Sequence, residues 1–329
     1  MMRWLVVCAA LCPAPLMAAC PDVPTPVIDL RFDSRYADDD PTRSTIDVEA
    51  EDDAKSALAP VDDFISDLTR RTDSALADQD RDAATCVLAA LAEWAEADAL
   101  SQLGSDTAEL TIGSRLAALA IVAAQVLPAG DATHSTTVRD WLSRRMTDQM
   151  TFWETAPDGA ASGNLRAWAA LAGAGTALIT GDPVIRGWSA WSLTYVLCTA
   201  APDGSLPQEM SRAHLALHYQ LHAVGPLVVT AALLNRQGVP LSNRCDQALD
   251  RIVAFTLRDV DAGGTESAAH AGEAQSVSEG LAAVPDFQLA WAEAWLSLRD
   301  DPELNTALTD RRPLKYTKLG GDQTRLWSE

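Results

Sequence analysis

The stretch Leu206-Pro207-Gln208-Glu209-Met210-Ser211-Arg212-Ala213-His214-Leu215-Ala216-Leu217-His218-Tyr219 gathers a guanidinium, a phenol and two imidazoles within fourteen residues. A guanidinium holds a carboxylate and a phenol moves a proton, so the pair suits proton chemistry beside an anionic centre. On one continuous helix opening at Pro207, Arg212 and Tyr219 stand seven positions apart, nearly two full turns, and share a face roughly 10 Å apart along the axis. His214, His218 and His222 repeat every four residues along the same helix. Zinc pairs at that spacing normally bring a glutamate and a further ligand; no metal is expected here. Packing and hydrogen bonding are the duties read for His214 and His218, whereas His222, one turn beyond Tyr219, is within reach of the same site.

These side chains need a helical frame, and the sequence supplies one. Apolar residues recur at helical spacing over Ala57–Leu76, Ala83–Leu103, Ile112–Val126, Thr136–Trp153, Leu165–Thr180, Val184–Thr199, Gln208–Val224, Leu227–Arg236, Cys245–Leu257 and Leu281–Leu298. Turns such as Gly181-Asp182-Pro183, Asp203-Gly204 and Gly238-Val239-Pro240 stop one helix and send the next back. No β-rich stretch interrupts them, so an all-α toroid or solenoid of antiparallel hairpins is expected. Most of the ten tryptophans fall on these helices as core, with Trp168 read equally as core or as a platform for a sugar ring.

Ahead of the helices, residues 20–54 lack periodicity. They hold Pro21, Pro24, Pro26 and Asp38-Asp39-Asp40-Pro41, and read as an extended arm and mobile loop before a single helical domain over 55–329. Residues 1–19, with Arg3, an apolar run from Trp4 to Leu11 and Met17-Ala18-Ala19, read as a signal peptide. A periplasmic or secreted protein is expected, with lipidation of Cys20 the lesser alternative. The remaining Cys20, Cys86, Cys198 and Cys245 are even in number and match no metal spacing, so structural bridging is their expected use. A formal charge of -21 disfavours nucleic acid and anionic lipid as partners, and no later apolar run reaches spanning length without a charge or a proline. Neither membrane insertion nor a cofactor is expected, and a monomer is.

Gly204-Ser205-Leu206-Pro207-x-Glu209-x-x-Arg212, followed by Ala216-Leu217-His218-Tyr219 and Pro226-Leu227, resembles the signature helix of the alginate lyases of polysaccharide lyase family 5. Gly163-Asn164-Leu165-Arg166-Ala167-Trp168 is similar to that family's N-N-H-x-Y-W. Cys20-Pro21-x-Val23-Pro24, Ser34-Arg35-Tyr36 and Arg43-Ser44-Thr45-Ile46-Asp47 resemble its N-terminal motifs, and Leu319-Gly320-Gly321-x-x-Thr324-Arg325 its C-terminal one. The resemblance implies an incomplete α/α toroid, a disulfide between Cys20 and Cys86, and β-elimination on an anionic, uronate-containing polysaccharide. It also implies site residues: Asn164, Arg212 and Tyr219 match three of the family's catalytic groups.

Two positions depart from the family pattern. Leu165 stands where the family has a histidine, and Arg35 where it has a loop lysine. Arginine still holds a carboxylate; leucine neither binds one nor takes a proton. Basic residues of the family helix are replaced by Ser211, Ala213 and Leu215, which predicts a groove poorer in positive charge, with Arg166 and Arg325 restoring part of it. In β-linked mannuronate and glucuronate the C5 hydrogen and O4 leave from one face, so a single tyrosine beside Arg212 suffices. The expected activity is a lyase for such linkages, with Tyr219, Arg212 and Asn164 catalytic and Arg35, Arg166, Trp168, His222 and Arg325 binding substrate. The alternative is a catalytically impaired protein of the same fold that binds exopolysaccharide.

Overall fold

The computed structural model describes residues 20–328; the signal-peptide reading of 1–19 lies outside them. The chain runs β1 (Asp29–Leu30), α1 (Val48–Ala77), α2 (Arg81–Glu96), β2 (Gln102–Leu103), α3 (Asp106–Thr111), α4 (Gly113–Val126), α5 (Ala132–Trp153), α6 (Asp158–Ala161), α7 (Asn164–Thr180), α8 (Pro183–Leu197), α9 (Pro207–Met210), α10 (Ala216–Arg236), α11 (Arg244–Asp261), α12 (Thr265–Ala271), α13 (Asp286–Leu289), α14 (Ala292–Leu298), α15 (Pro302–Ala307), β3 (Lys315–Tyr316), β4 (Gly321–Asp322) and α16 (Gln323–Trp327). Helices dominate, as the spacing predicts.

α4, α7 and α10 form the inner layer. α7 packs on both of the others, and α5, α8 and α11 lie outside them. The inner helices are buried almost all round, which is why they read as Ala- and Leu-rich with little amphipathic contrast. Small residues set their spacing: a Cβ on Gly113 would lie 2.8 Å from the Ala169 backbone nitrogen, so only glycine admits α4 this close to α7. By length and composition α10 is apolar enough to cross a membrane, yet it is the buried central helix of this core.

Several helix boundaries differ from the sequence expectation. α1 begins at Val48, where Asp47 accepts the amides of Glu49 and Ala50, so residues 48–54 are helix and not arm. The helix expected to reach Leu103 stops at Glu96, because Asp98 and Leu100 adopt φ of 52° and 59°, and Gln102–Leu103 pairs parallel with Asp29–Leu30. The stretch expected as Leu281–Leu298 is broken at Pro285 into shorter pieces. Gly225-Pro226 does not end a helix: α10 runs through it, a lost backbone bond tolerated because packing holds both sides.

The break with most consequence lies in the signature stretch. α9 ends at Met210, Arg212 has φ −91° and ψ 26°, and Ala213 has φ 49°. Arg212 and Tyr219 therefore do not share one continuous helix. Arg212 sits in the turn that feeds α10, and this turn folds its side chain back onto the tyrosine.

Disulfides join Cys20 to Cys86 and Cys198 to Cys245, the first fastening the N-terminal arm to α2 and the second closing α8 on α11. Within the arm, the Asp40 carboxylate accepts from the Thr42 hydroxyl and from the amides of Thr45, Ser44 and Thr42. These bonds, the Thr42 hydroxyl first, hold its carboxyl well below the usual range and shape the loop that leads to Arg43.

Candidate active site

Arg35 and Tyr36 from the arm, Asn164 from α7, Arg212 from the turn and Tyr219 from α10 line one cleft of about 270 Å³. The Tyr219 hydroxyl is hydrogen-bonded to the Tyr36 hydroxyl, and Arg35 Nη2 donates to both, at 3.1 and 3.0 Å. The Arg212 guanidinium carbon lies over both rings, 3.8 Å from the Tyr219 centroid and 4.9 Å from that of Tyr36. Its Nη2 donates to the Arg43 carbonyl at 2.5 Å, while its buried Nε has no partner among the described residues. Two phenols are thus enclosed by two cations, an arrangement that favours negative charge on a phenol oxygen.

Asn164 is the first residue of α7, and its 5 % exposure leaves only an edge to the cleft. Glu209, fully buried on α9, accepts its backbone N–H at 2.7 Å through Oε1 and its side-chain Nδ2 at 2.9 Å through Oε2. Burial pushes the Glu209 carboxyl up to about 7, against the hydrogen bonds from Asn164 and the charge of Arg212. The approach depends on Gly163, where a Cβ would lie 2.8 Å from Glu209 Oε1 and 2.6 Å from Gln208 Cγ.

His222 faces the cleft but is committed: Trp168 Nε1 donates to its Nε2 at 3.0 Å. Burial, and then the Lys318 charge, keep it well below its ordinary pKa, so it is a neutral acceptor. Burial also lowers His218, with Arg35 and Arg212 adding to the effect. Trp168 is 3 % exposed and packs edge-on to Tyr316, so its face offers no sugar platform. Leu165 lines the cleft wall beside Leu110, where it packs with apolar neighbours.

Two residues expected to bind substrate are elsewhere. Arg166 is 3 % exposed on the far side of α7, its guanidinium 4.4 Å from the Trp191 centroid and 4.8 Å from that of Tyr195. Arg325 binds the Asp73 carbonyl at 2.9 Å and Asp322 at 3.4 Å, away from the cleft. The groove nevertheless keeps several cations. Arg35, Arg43, Arg212, Arg115 and Lys318 line it. Arg115 is tied to Asp62 through both carboxylate oxygens at 2.8 and 2.7 Å. No carboxylate pairs with Lys318 among the described residues, and burial with the nearby Arg115 charge lowers it to about 8. In a chain of net charge -21 this cationic cleft focuses attraction for an anionic ligand. Tyr36 and Lys318 were not singled out from sequence as site residues, although Tyr36 lies inside the quoted Ser34-Arg35-Tyr36 motif.

The comparisons with known proteins agree with one another. A family model described as Alginate lyase matches residues 104–266. The chain is 29% identical over 321 residues to an alginate lyase of Pseudomonas aeruginosa, covering 94% of this chain and 86% of that protein. It is 28% identical over 323 residues to a polysaccharide lyase of Stenotrophomonas maltophilia, covering 95% and 92%. Among solved structures, a tetrasaccharide complex of alginate lyase A1-III superposes with a TM-score of 0.81 at 21% identity, covering 94% of this chain and 86% of that one. The A1-III enzyme from Sphingomonas species A1 gives 0.78 at 21% identity, covering 96% and 88%, which fixes the fold as the α/α toroid.

Proposed function

Since this chain belongs to the alginate lyase family and is a polysaccharide lyase for an anionic polysaccharide, we propose that it cleaves mannuronate- or glucuronate-type linkages by β-elimination at C4–O4. The observation that carries this reading is the meeting of Tyr219, Tyr36, Arg35 and Arg212 in a cationic cleft beside Asn164, in which His222 is committed to Trp168. The C5 carboxylate of a bound uronate is held by the Asn164 amide and by cations of the cleft, which makes the C5 proton acidic. Tyr219 Oη takes that proton; the C5–H electrons form the C4–C5 double bond and the C4–O4 bond breaks. O4 then receives the proton back from the same phenol. Because one oxygen serves both steps, C5–H and O4 must lie on one face, as in mannuronate and glucuronate, and guluronate is disfavoured.

Arg35 and Arg212 are placed to stabilise the phenolate. Leu165 removes a histidine, but the cleft keeps a base and a set of carboxylate ligands without it. The two disulfides support an oxidising compartment, and we place the protein in the periplasm or outside the cell.

Incubation of the purified protein with polymannuronate, glucuronan, hyaluronan and polyguluronate, followed by the ultraviolet absorbance of the C4–C5 unsaturated uronate, tests the proposal. Product from one of the first three, abolished in Tyr219→Phe, is expected. A flat trace with all four, alongside measurable polymer binding, overturns it in favour of a binding protein.

A further inference from the structure

Glu209 holds Asn164 by two points of different kinds. Its Oε1 receives the backbone N–H of Asn164 at 2.7 Å, a donor that cannot turn over. Its Oε2 faces the side-chain amide, 2.9 Å from Nδ2, and that amide has a second orientation of the same shape with oxygen and nitrogen exchanged. An ionised carboxylate only accepts, so it takes the NH2 group and leaves Oδ1 as the atom free to face the cleft. A protonated carboxyl donates from Oε2, takes Oδ1 instead, and frees both N–H donors for the cleft. No hydrogen bond within the protein reaches Asn164 Oδ1 among the described residues, so nothing else fixes the amide.

We propose that Glu209 is a positioning residue whose proton decides which end of the Asn164 amide meets the substrate, the protonated form presenting the donors that hold a uronate carboxylate. The inference rests on the lyase reading only for the identity of the ligand. The groups around Glu209 are few. Arg212, beyond the end of α9, favours the carboxylate, as does the Asn164 backbone amide, while complete burial opposes it, and the balance is a carboxyl that titrates at about 7. α12, packed against α9, carries Glu266 and His270, but these pair with Arg258 and Asp203. α10 turns His218, Tyr219 and His222 toward the cleft, and Arg43 faces it from the arm. A uronate carboxylate arriving beside Asn164 adds negative charge and favours the proton on Glu209, so ligand binding above neutral pH takes up a proton.

The first test needs no substrate. In the free protein the side-chain amide resonance of Asn164, assigned by its loss in Asn164→Asp, shifts with a midpoint near pH 7, and in Glu209→Gln it is constant from about pH 6 to 8.5. Glutamine reproduces the protonated form, its oxygen accepting the backbone N–H and its nitrogen donating to Oδ1. A wild-type resonance that does not move over this range overturns the proposal whether or not the protein cleaves any polymer. With the polymer that serves as substrate, kcat/KM of the wild type falls as pH rises through 7. Glu209→Gln lacks that fall and at pH 8 exceeds the wild type about tenfold, the ratio set by one pH unit above the Glu209 pKa. Glu209→Gln as impaired as Glu209→Ala, with both variants folded, overturns it equally.

Discussion

Trp168 donates its indole N–H to Nε2 of His222 across 3.0 Å, and this bond settles the state of an imidazole that lines the same cleft as Leu165. An imidazole that accepts there and is held well below its ordinary pKa does not carry a proton at neutral pH. The proposed mechanism accordingly assigns the proton transfers to Tyr219 and not to His222.

Holding His222 neutral has a thermodynamic sign. Below about 6.5 the unfolded chain protonates this histidine and the folded chain does not, so stability is full above that pH and falls as pH drops. The slope is at most about 1.4 kcal/mol per pH unit for one such group. His222→Gln, which keeps an acceptor for Trp168, is expected to lose less stability than the wild type between pH 7 and pH 5 in urea unfolding. Equal losses in the two proteins would contradict the assignment.

Tyr219→Phe is expected to lower kcat by about 10²–10⁴, the range for a group that moves the proton. Tyr36→Phe removes a hydrogen-bond partner of Tyr219 and leaves the base, so a smaller loss, on the order of tenfold, is expected. Rate measurements on the two variants that came out equal would assign the chemistry to the pair and not to Tyr219.

Lys318 is a cation in the cleft without a carboxylate partner among the described residues. Its pKa is lowered to about 8, so its charge is present at neutral pH and lost as pH rises through 8. KM for the polyanion should rise over that interval, and Lys318→Arg should remove the rise. Lys318→Met should raise KM at pH 7 about tenfold, roughly 1.4 kcal/mol of a charged hydrogen bond, with little change in kcat. The same substitution relieves a poorly solvated charge and should stabilise the fold at neutral pH by roughly 1–2 kcal/mol, after allowance for solvent screening. An unchanged KM would remove Lys318 from substrate binding.

Gly163→Ala places a methyl group against Glu209 Oε1 and Gln208 Cγ. The backbone there, φ −116° and ψ −162°, suits any residue, so the cost falls on the contact and not on backbone strain. Activity is expected to fall by tenfold or more, roughly 1.4 kcal/mol, while the melting temperature moves by only a few degrees. A variant that melts far lower with full activity per folded molecule would show that Gly163 serves stability alone.

The inner helices were legible in the sequence because α7, from Asn164 to Thr180, is mostly Ala, Gly and Leu between two turn signals. Asn164, Arg212 and Tyr219 were legible through the motifs around them. Their geometry was not, because a helix drawn through Ser211 and Ala213 hides the positive φ that folds Arg212 back. Arg166 misled for a related reason: two residues beyond Asn164 on a helix lies roughly 200° around it, on the outer face. Tyr36 and Lys318 gave no periodic signal, since an irregular arm and a short turn bring them to the cleft only when the tertiary fold is complete.

Tyr36 and Tyr219 are 183 positions apart, and Lys318 follows Tyr219 by a further 99. The cleft is therefore assembled from segments that meet only through long-range contacts, the arm that carries Tyr36 and the turn that carries Lys318 among them. Until both segments are docked, the helices hold a groove short of Tyr36 and Lys318. Local loosening of either segment accordingly weakens the hold on the polymer before the helical core is disturbed.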